Sequence, residues 1–350
     1  MKRALILVLG IAAVGFLVVR WTIDNASLAL IALSAEQARA LRSLKKLSDH
    51  PLYVMHYCGS YRDVSYSTVL PHDLAGVCAC TLFAAAGDPE TPVYGRNFDW
   101  PRHPALVLIA EPPDAYASVS MVDLSFLFPE DVAQDIHRLP AEQRIVLLEA
   151  PLWVFDGMNE RGVAIGMAAV ADTTMPYDDA LETVGSLEIM RRVLDRAASV
   201  EEAIDLFESV NVSMSGGPCI HYLVADATGN SALIEYWDGA MHVLRSDESW
   251  ACATNYRLCL VGEADRAGLC WRYDAVHSEL SRTEGSLTRI YAMALLDMAH
   301  AEVPNVPEAG TQWSVVYDMK SGHIELAVGH DYGKIFRFQV PASGTVKGRG

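Results

Sequence analysis

The sequence predicts an α+β protein in which strands and helices come in segregated blocks instead of a regular βαβ winding. Two observations carry this. The apolar patterning runs strands, helices, strands, helices, strands along the chain, and 51% hydrophobic residues against 20% charged supply material for a thick core. A length of 350 residues suits one large domain or two smaller ones.

Taken in order, Lys2 and Arg3 precede an uncharged apolar run from Ala4 to Val19 that ends at Arg20, the layout of a secretory signal. The run is short for a membrane span of ~20 residues. Ser27-Leu28-Ala29 offers a cleavage site, and a retained N-terminal membrane anchor is the alternative. Export is expected, to a periplasmic, secreted or outward-facing anchored state. Ser34-Ala35-Glu36-Gln37 reads as a capping box opening a helix through Leu41, Leu44 and Leu47, which Pro51 stops. Leu52–Tyr57 alternates like a strand. Cys80–Ala86 and Val93–Trp100 are extended runs joined by a Gly- and Pro-rich turn, residues 87–92. A second hairpin, Phe155–Val170, bends at Asn159–Gly162. Ser186 caps a helical run carrying Ile189, Val193 and Leu194, and Ser199–Glu202 is a second capping box. Strands follow at His221–Ala225, Ala232–Trp237 and Met241–Leu244, with hairpin turns at Asp226–Gly229 and Asp238-Gly239. Helices are expected near Trp271–Leu280 and Leu287–Ala301, then strands at Ser314–Met319, His323–Val328 and Lys334–Val340.

The formal net charge of −17, from 44 acidic and 27 basic residues, repels nucleic acid and anionic lipid surfaces, so neither is an expected partner. No G-x-G-x-x-G or P-loop is present, which leaves nucleotide binding without support. Cysteines stand at 58, 78, 80, 219, 252, 259 and 270. An odd count leaves at least one thiol unpaired within an oxidised chain. Their spacing does not follow the paired C-x2-C pattern of structural zinc, and no cofactor or metal is called for. Self-association is left open.

The chemistry concentrates in Cys80 to Trp100. A thiol opens one strand of a hairpin, and a cation, Arg96, and a carboxylate, Asp99, return on the next. A nearby guanidinium stabilises thiolate, the reactive form of cysteine. The plain alternative is a small buried cysteine beside a cross-strand ion pair worth ~0–1 kcal/mol if exposed.

Cys80-Thr81 followed by Gly95-Arg96-Asn97-Phe98-Asp99 resembles the motif of the choloylglycine hydrolase and acid ceramidase-like group, the linear amide C–N hydrolases with an N-terminal nucleophile. Further pieces resemble that group in order as far as Asp318: Gly157–Ile165, His221–Gly229, Ala232–Glu235, Ala253-Thr254-Asn255, Trp271-Arg272-Tyr273 and Trp313–Asp318. The resemblance implies a four-layer αββα sandwich, with residues 1–20 as signal or anchor, 21–79 as propeptide and 80–350 as the catalytic domain. It also implies roles. Cys80 is the nucleophile once the backbone is cut after Ala79, and its new α-amine, of pKa ~8, is the general base. Asp99 orients that amine, and Arg96 holds the thiolate and the substrate carbonyl region. Asn255 donates to the oxyanion, a contribution of ~3–4 kcal/mol for one such donor. Arg272 stabilises the geometry.

Cys78 is a rival nucleophile on the same strand face; Thr81 and the spacing to Gly95-Arg96 favour Cys80. Ala168 stands where bile-salt hydrolases carry an Asn, so a second oxyanion contact has to come from backbone or another residue. His221 suggests a Cys–His dyad, but an N-terminal base is self-sufficient, and a core histidine hydrogen-bonded on its strand is the preferred reading. Trp100, Trp153, Phe155 and Trp237 are candidates for an acyl pocket or for core, and loops in 101–139 for the substrate-entrance wall. The expected activity is hydrolysis of a small-molecule N-acyl amide through a thioester. The alternatives are acyl transfer on the same fold and an uncleaved, membrane-anchored binding protein.

Overall fold

The structure, a computed structural model, describes residues 33–61, 79–302 and 309–342. The apolar leader, Ser27–Ala29 and Cys78 lie outside the described residues.

Ser34 closes the expected capping box with Gln37, each side chain serving the other's backbone N–H, and opens α1 (Ala35–Ser43). The helix does not run to Leu47 as its leucine spacing suggested. Leu41 and Leu44 are already buried, and Lys45–Ser48 leaves the helix to pair antiparallel with Leu52–Tyr57, forming β1 and β2. Strand pairing outweighs the helical propensity of this short stretch. The hairpin β3 (Ala79–Ala85) and β4 (Val93–Trp100) forms as expected, its turn fixed by Asp88, which accepts from the Glu90 backbone and the Thr91 hydroxyl.

The stretch 101–139 is not mainly loop. It contributes β5 (Ala105–Ala110) and β6 (Ser118–Asp123), both buried on both faces. β5 reads as a continuous apolar run without alternation, as a strand buried on both faces does, whereas β6 (Ser-Val-Ser-Met-Val-Asp) alternates and buries its serines as well. β7 (Asp156–Asn159) and β8 (Ala164–Ala169) make the second hairpin, with Gly162 at φ +75° in its bend. A short parallel pair, β9 (Glu182–Gly185) and β10 (Val210–Ser213), brackets α2 (Glu188–Arg196) and α3 (Val200–Glu208). Ser186 does not cap α2: Leu187 occupies that position, and the Ser186 carbonyl accepts from Tyr222 Oη. Ser199 does cap α3, but Glu202 reaches back to the Ala198 N–H instead of completing the box. The chain continues through β11 (Ile220–Ala225), β12 (Ser231–Trp237), β13 (Ala240–Arg245), β14 (Trp250–Ala253), α4 (Trp271–Thr283), α5 (Arg289–Met298), β15 (Gly310–Asp318), β16 (His323–Val328) and β17 (Phe336–Gln339).

Two sheets result. One has nine strands in the order β1-β2-β5-β6-β7-β8-β11-β12-β13, the other six in the order β14-β3-β4-β15-β16-β17. They pack face to face where β3 meets β8 and β11, and Tyr94 on β4 donates across the gap to the Leu223 carbonyl at 3.0 Å. α2 and α3 cover the outer face of the large sheet; α4 and α5 cover the small one against β3, β4, β14 and β15. This is the four-layer αββα arrangement. A second apolar cluster lies under α1, where Leu41 and Tyr53 meet Leu106, Leu124 and Trp153. Among the described residues no helix is long and apolar enough to cross a membrane.

Candidate active site

Cys80 sits at the start of β3, opposite Phe98 on β4; its neighbour Ala79 is opposite Asp99, and Leu82 is opposite Arg96. This register makes Arg96 and Asp99 flank the thiol, as the hairpin spacing implied. Arg96 is fully buried and points Nη2 at Cys80 Sγ, 3.7 Å away, and at the Met167 carbonyl, 3.1 Å away. Its other nitrogen, Nη1, donates to Asp156 Oδ2 and to the Phe155 carbonyl. Asp156 is also held by Trp313 Nε1 at 3.0 Å and Tyr317 Oη at 2.5 Å. A buried cation is therefore matched by a buried carboxylate with its own donors, the condition under which such a pair is tolerated.

Asn255, in the loop after β14, accepts the Cys80 N–H on Oδ1 at 2.5 Å and donates Nδ2 to the Ala169 carbonyl at 2.9 Å. Arg272, in the first turn of α4, reaches the Cys80 carbonyl at 2.6 Å, Asp99 Oδ2 at 3.1 Å and Asn255 Oδ1 at 3.1 Å. Thr311 on β15 donates to Asp99 Oδ1 at 2.5 Å. All five residues singled out in the sequence (Cys80, Arg96, Asp99, Asn255 and Arg272) thus converge on one point. Within the continuous backbone the Cys80 N–H is satisfied by Asn255, and the Asn255 amide group serves Ala169.

Burial pushes the Cys80 thiol up from its ordinary pKa, with Arg96 pulling the other way. Burial also raises Asp99, to about 6, against the opposing pull of Arg272 and Thr311.

The loop holding Asn255 is fastened from beneath. Glu235 on β12 accepts from the N–H groups of Leu258 and Cys259, and from His221 Nδ1 at 2.8 Å. His221 Nε2 meets the Thr254 carbonyl at 2.7 Å. His221 is thus a fully buried, hydrogen-bonded core histidine and no partner of the thiol, as preferred from sequence. Asp156, Thr311 and Glu235 were missed. The signal available for Asp156 and Glu235 was a lone carboxylate on an otherwise apolar strand.

A cavity of about 350 Å³ opens beside Cys80, walled by Phe98, Trp100, Phe126, Trp153 and Phe155. Three of the four aromatic candidates are therefore in its lining. Trp237 is not: it lies at the far end of β12, partly exposed, with the Arg257 guanidinium over its ring. Phe126 is the only residue of 101–139 in the lining, and the remaining wall comes from Met167 and Ala169 on β8 and from the segments 183–188 and 213–220. Ala168 is fully buried in β8, opposite His221.

The family model for linear amide C–N hydrolases of the choloylglycine hydrolase family matches residues 80–255, half of the chain, beginning on Cys80 and ending on Asn255. The chain belongs to the choloylglycine hydrolase family. It is accordingly a hydrolase of linear amides with the N-terminal-nucleophile fold. Two solved variants of a conjugated bile acid hydrolase from Clostridium perfringens share that fold. One is 14% identical, with a TM-score of 0.52 over 78% of this chain and 95% of that one. The other is 13% identical, with a TM-score of 0.52 over 77% and 95%. A penicillin V acylase from Agrobacterium tumefaciens aligns at 18% identity and a TM-score of 0.49, over 74% of this chain and 86% of that one. A search of curated protein sequences finds no match.

Proposed function

We propose that this family member cuts its own backbone between Ala79 and Cys80 and then hydrolyses N-acyl amides with Cys80 as an N-terminal nucleophile. The observation that carries the reading is the convergence on Cys80: Arg96 at its thiol, Asn255 at its nitrogen and Arg272 at its carbonyl. In the first reaction Sγ attacks the Ala79 carbonyl carbon, the C–N bond breaks and nitrogen keeps the electron pair. It takes a proton to become the α-amine. Water then splits the Ala79 thioester, giving a carboxylate and the free thiol.

In turnover the amine accepts the thiol proton and returns it to the leaving amine of the substrate, and water again resolves the thioester. Arg272, at the Cys80 carbonyl, and Asn255, once its amide turns from the Ala169 carbonyl, supply the oxyanion contacts. Asp99, beside the new terminus and tied to Arg272, balances the charge of the ammonium. Aromatic lining beside the thiol fits an apolar acyl group on the substrate. The basic, then apolar, N-terminal segment supports export.

The test is intact-mass analysis of the chain expressed without Met1–Arg20, beside a Cys80→Ala control. A fragment beginning at Cys80 in the wild type and absent in the control is expected. A fragment beginning at Cys78 moves the nucleophile two residues upstream. A folded chain that stays whole and cleaves no N-acyl amide ends the proposal.

A further inference from the structure

Linked to Asp99 through Thr311, three side chains that do not line the cavity meet, and the amide reaction does not use their chemistry. His300 follows α5, and its Nδ1 lies against the Asp297 carbonyl. A carbonyl only accepts, so Nδ1 donates there, and in a neutral ring Nε2 keeps its lone pair on the side of Glu302. That is the arrangement in which a metal-ligating histidine is fixed through its other nitrogen. Glu302 Oε1 lies 3.6 Å from His300 Nε2. His330, in the turn between β16 and β17, takes φ +61°, and its ring centroid comes to 4.9 Å from that of His300. One donor atom from each of the three lies within 4.8 Å of the others. A non-glycine residue held at positive φ is a local cost of folding, and here it brings two imidazoles and a carboxylate to one point.

We propose that His300, Glu302 and His330 bind a divalent cation of the zinc class, with water completing the coordination. Two imidazole nitrogens and one carboxylate oxygen are a zinc-type donor set, whereas calcium and magnesium favour all-oxygen shells. Tetrahedral bonds of ~2 Å place ligand atoms roughly 3.3 Å apart, so the three donors need to close by at most about 1.5 Å. Glu302 is exposed and free to swing.

The ion would join two parts of the chain. Ala301, between two of the ligands, donates its N–H to Thr311 Oγ1 at 2.9 Å and accepts the Thr311 N–H at 3.0 Å. Thr311 is the residue that holds Asp99. Binding therefore ties the 300–302 segment to the β16–β17 turn and stiffens the rest against which Asp99 leans. The site itself stands independently of the amidase reading.

The test uses tag-free protein stripped with chelator and titrated with Zn²⁺ by calorimetry, with thermal unfolding read in parallel. One ion per chain and a raised melting temperature are expected. Glu302→Gln and His330→Asn are expected to weaken binding at least about tenfold, the lower range seen when a metal site loses a supporting group. Asn tolerates positive φ, so His330→Asn keeps the turn, and Glu302 is too exposed to matter to folding. Co²⁺ in place of Zn²⁺ should give visible d–d bands without a thiolate charge-transfer band. Failure of the wild type to bind at micromolar Zn²⁺ overturns the proposal. Equal binding by both variants, or a thiolate band, does so as well, since either places the metal on the free cysteines.

Discussion

Arg96 and Asp156 form the site's permanent ion pair, both without exposure to solvent. Neither can lose the other cheaply. Asp156→Asn leaves a buried guanidinium without its counter-charge and is expected to cost ~3–5 kcal/mol, read from the urea midpoint at constant m-value. Asp99 is different because it titrates. Its folded pKa of about 6 lies above the ordinary 3.8, so the folded state binds the extra proton between those values. The stability it contributes is present below about pH 3.8 and lost as pH rises through about 6. Activity should run the other way. Below pH 6 a protonated Asp99 loosens Arg272, which grips the Cys80 carbonyl. The rate of self-cleavage is therefore expected to climb through about pH 6 in the intact chain, and to lose that limb in Asp99→Asn. A pH series of cleavage rates followed by mass spectrometry checks it. Cys80, Arg96 and Asp99 were legible from sequence because one hairpin carries all three. Asn255 and Arg272 were reachable only through family resemblance, and Thr311 was not legible at all: its contact with Asp99 spans 212 positions.

The β3–β4 hairpin imposes demands of its own as an element. Phe83 lies across Gly95, so that a Cβ there would sit 2.2 Å from the ring. Gly95→Ala is expected to lower stability by ~1–3 kcal/mol, the usual cost of overpacking, as a drop in thermal midpoint. The loop after β14 is held by Glu235, which takes three hydrogen bonds, one from His221. Glu235→Gln turns an acceptor-only group into one with two unwanted hydrogens, and Asn255 shifts with the loop. A fall of roughly tenfold or more in kcat with little change in KM is expected from steady-state kinetics, since small displacements of a catalytic group are costly. Elements with turn chemistry or alternation, such as β7–β8 and β11–β13, could be read from sequence. β5 could not, because burial on both faces erases the period; β6 was passed over although Val119 and Met121 alternate with Ser118 and Ser120, and α1 was overread because Leu44 and Leu47 continue a helical spacing that strand pairing interrupts.

For the whole molecule, the order of blocks gave the α+β class, while the number of layers came from resemblance. The pattern gave a helix and a strand before Cys80, but not that this strand joins the large sheet. β2 lies inside the nine-stranded sheet, parallel to β5 along its whole length, with α1 covering a cluster of its own. Tyr61 extends the attachment by donating to Asp195 on α2 at 2.5 Å. A cut after Ala79 is thus expected to leave the N-terminal piece bound. Size-exclusion chromatography should show both fragments in one peak under native conditions and two in denaturant. The position of β2 also gives the cut a direction in time. Before it, a single chain finds its fold at a rate independent of concentration. After it, two chains would have to meet again, so a cleaved protein once melted would recover in a second-order reaction, more poorly the more dilute it is. Self-cleavage would then act as a ratchet, leaving a protein that was assembled as a unit and is difficult to assemble twice.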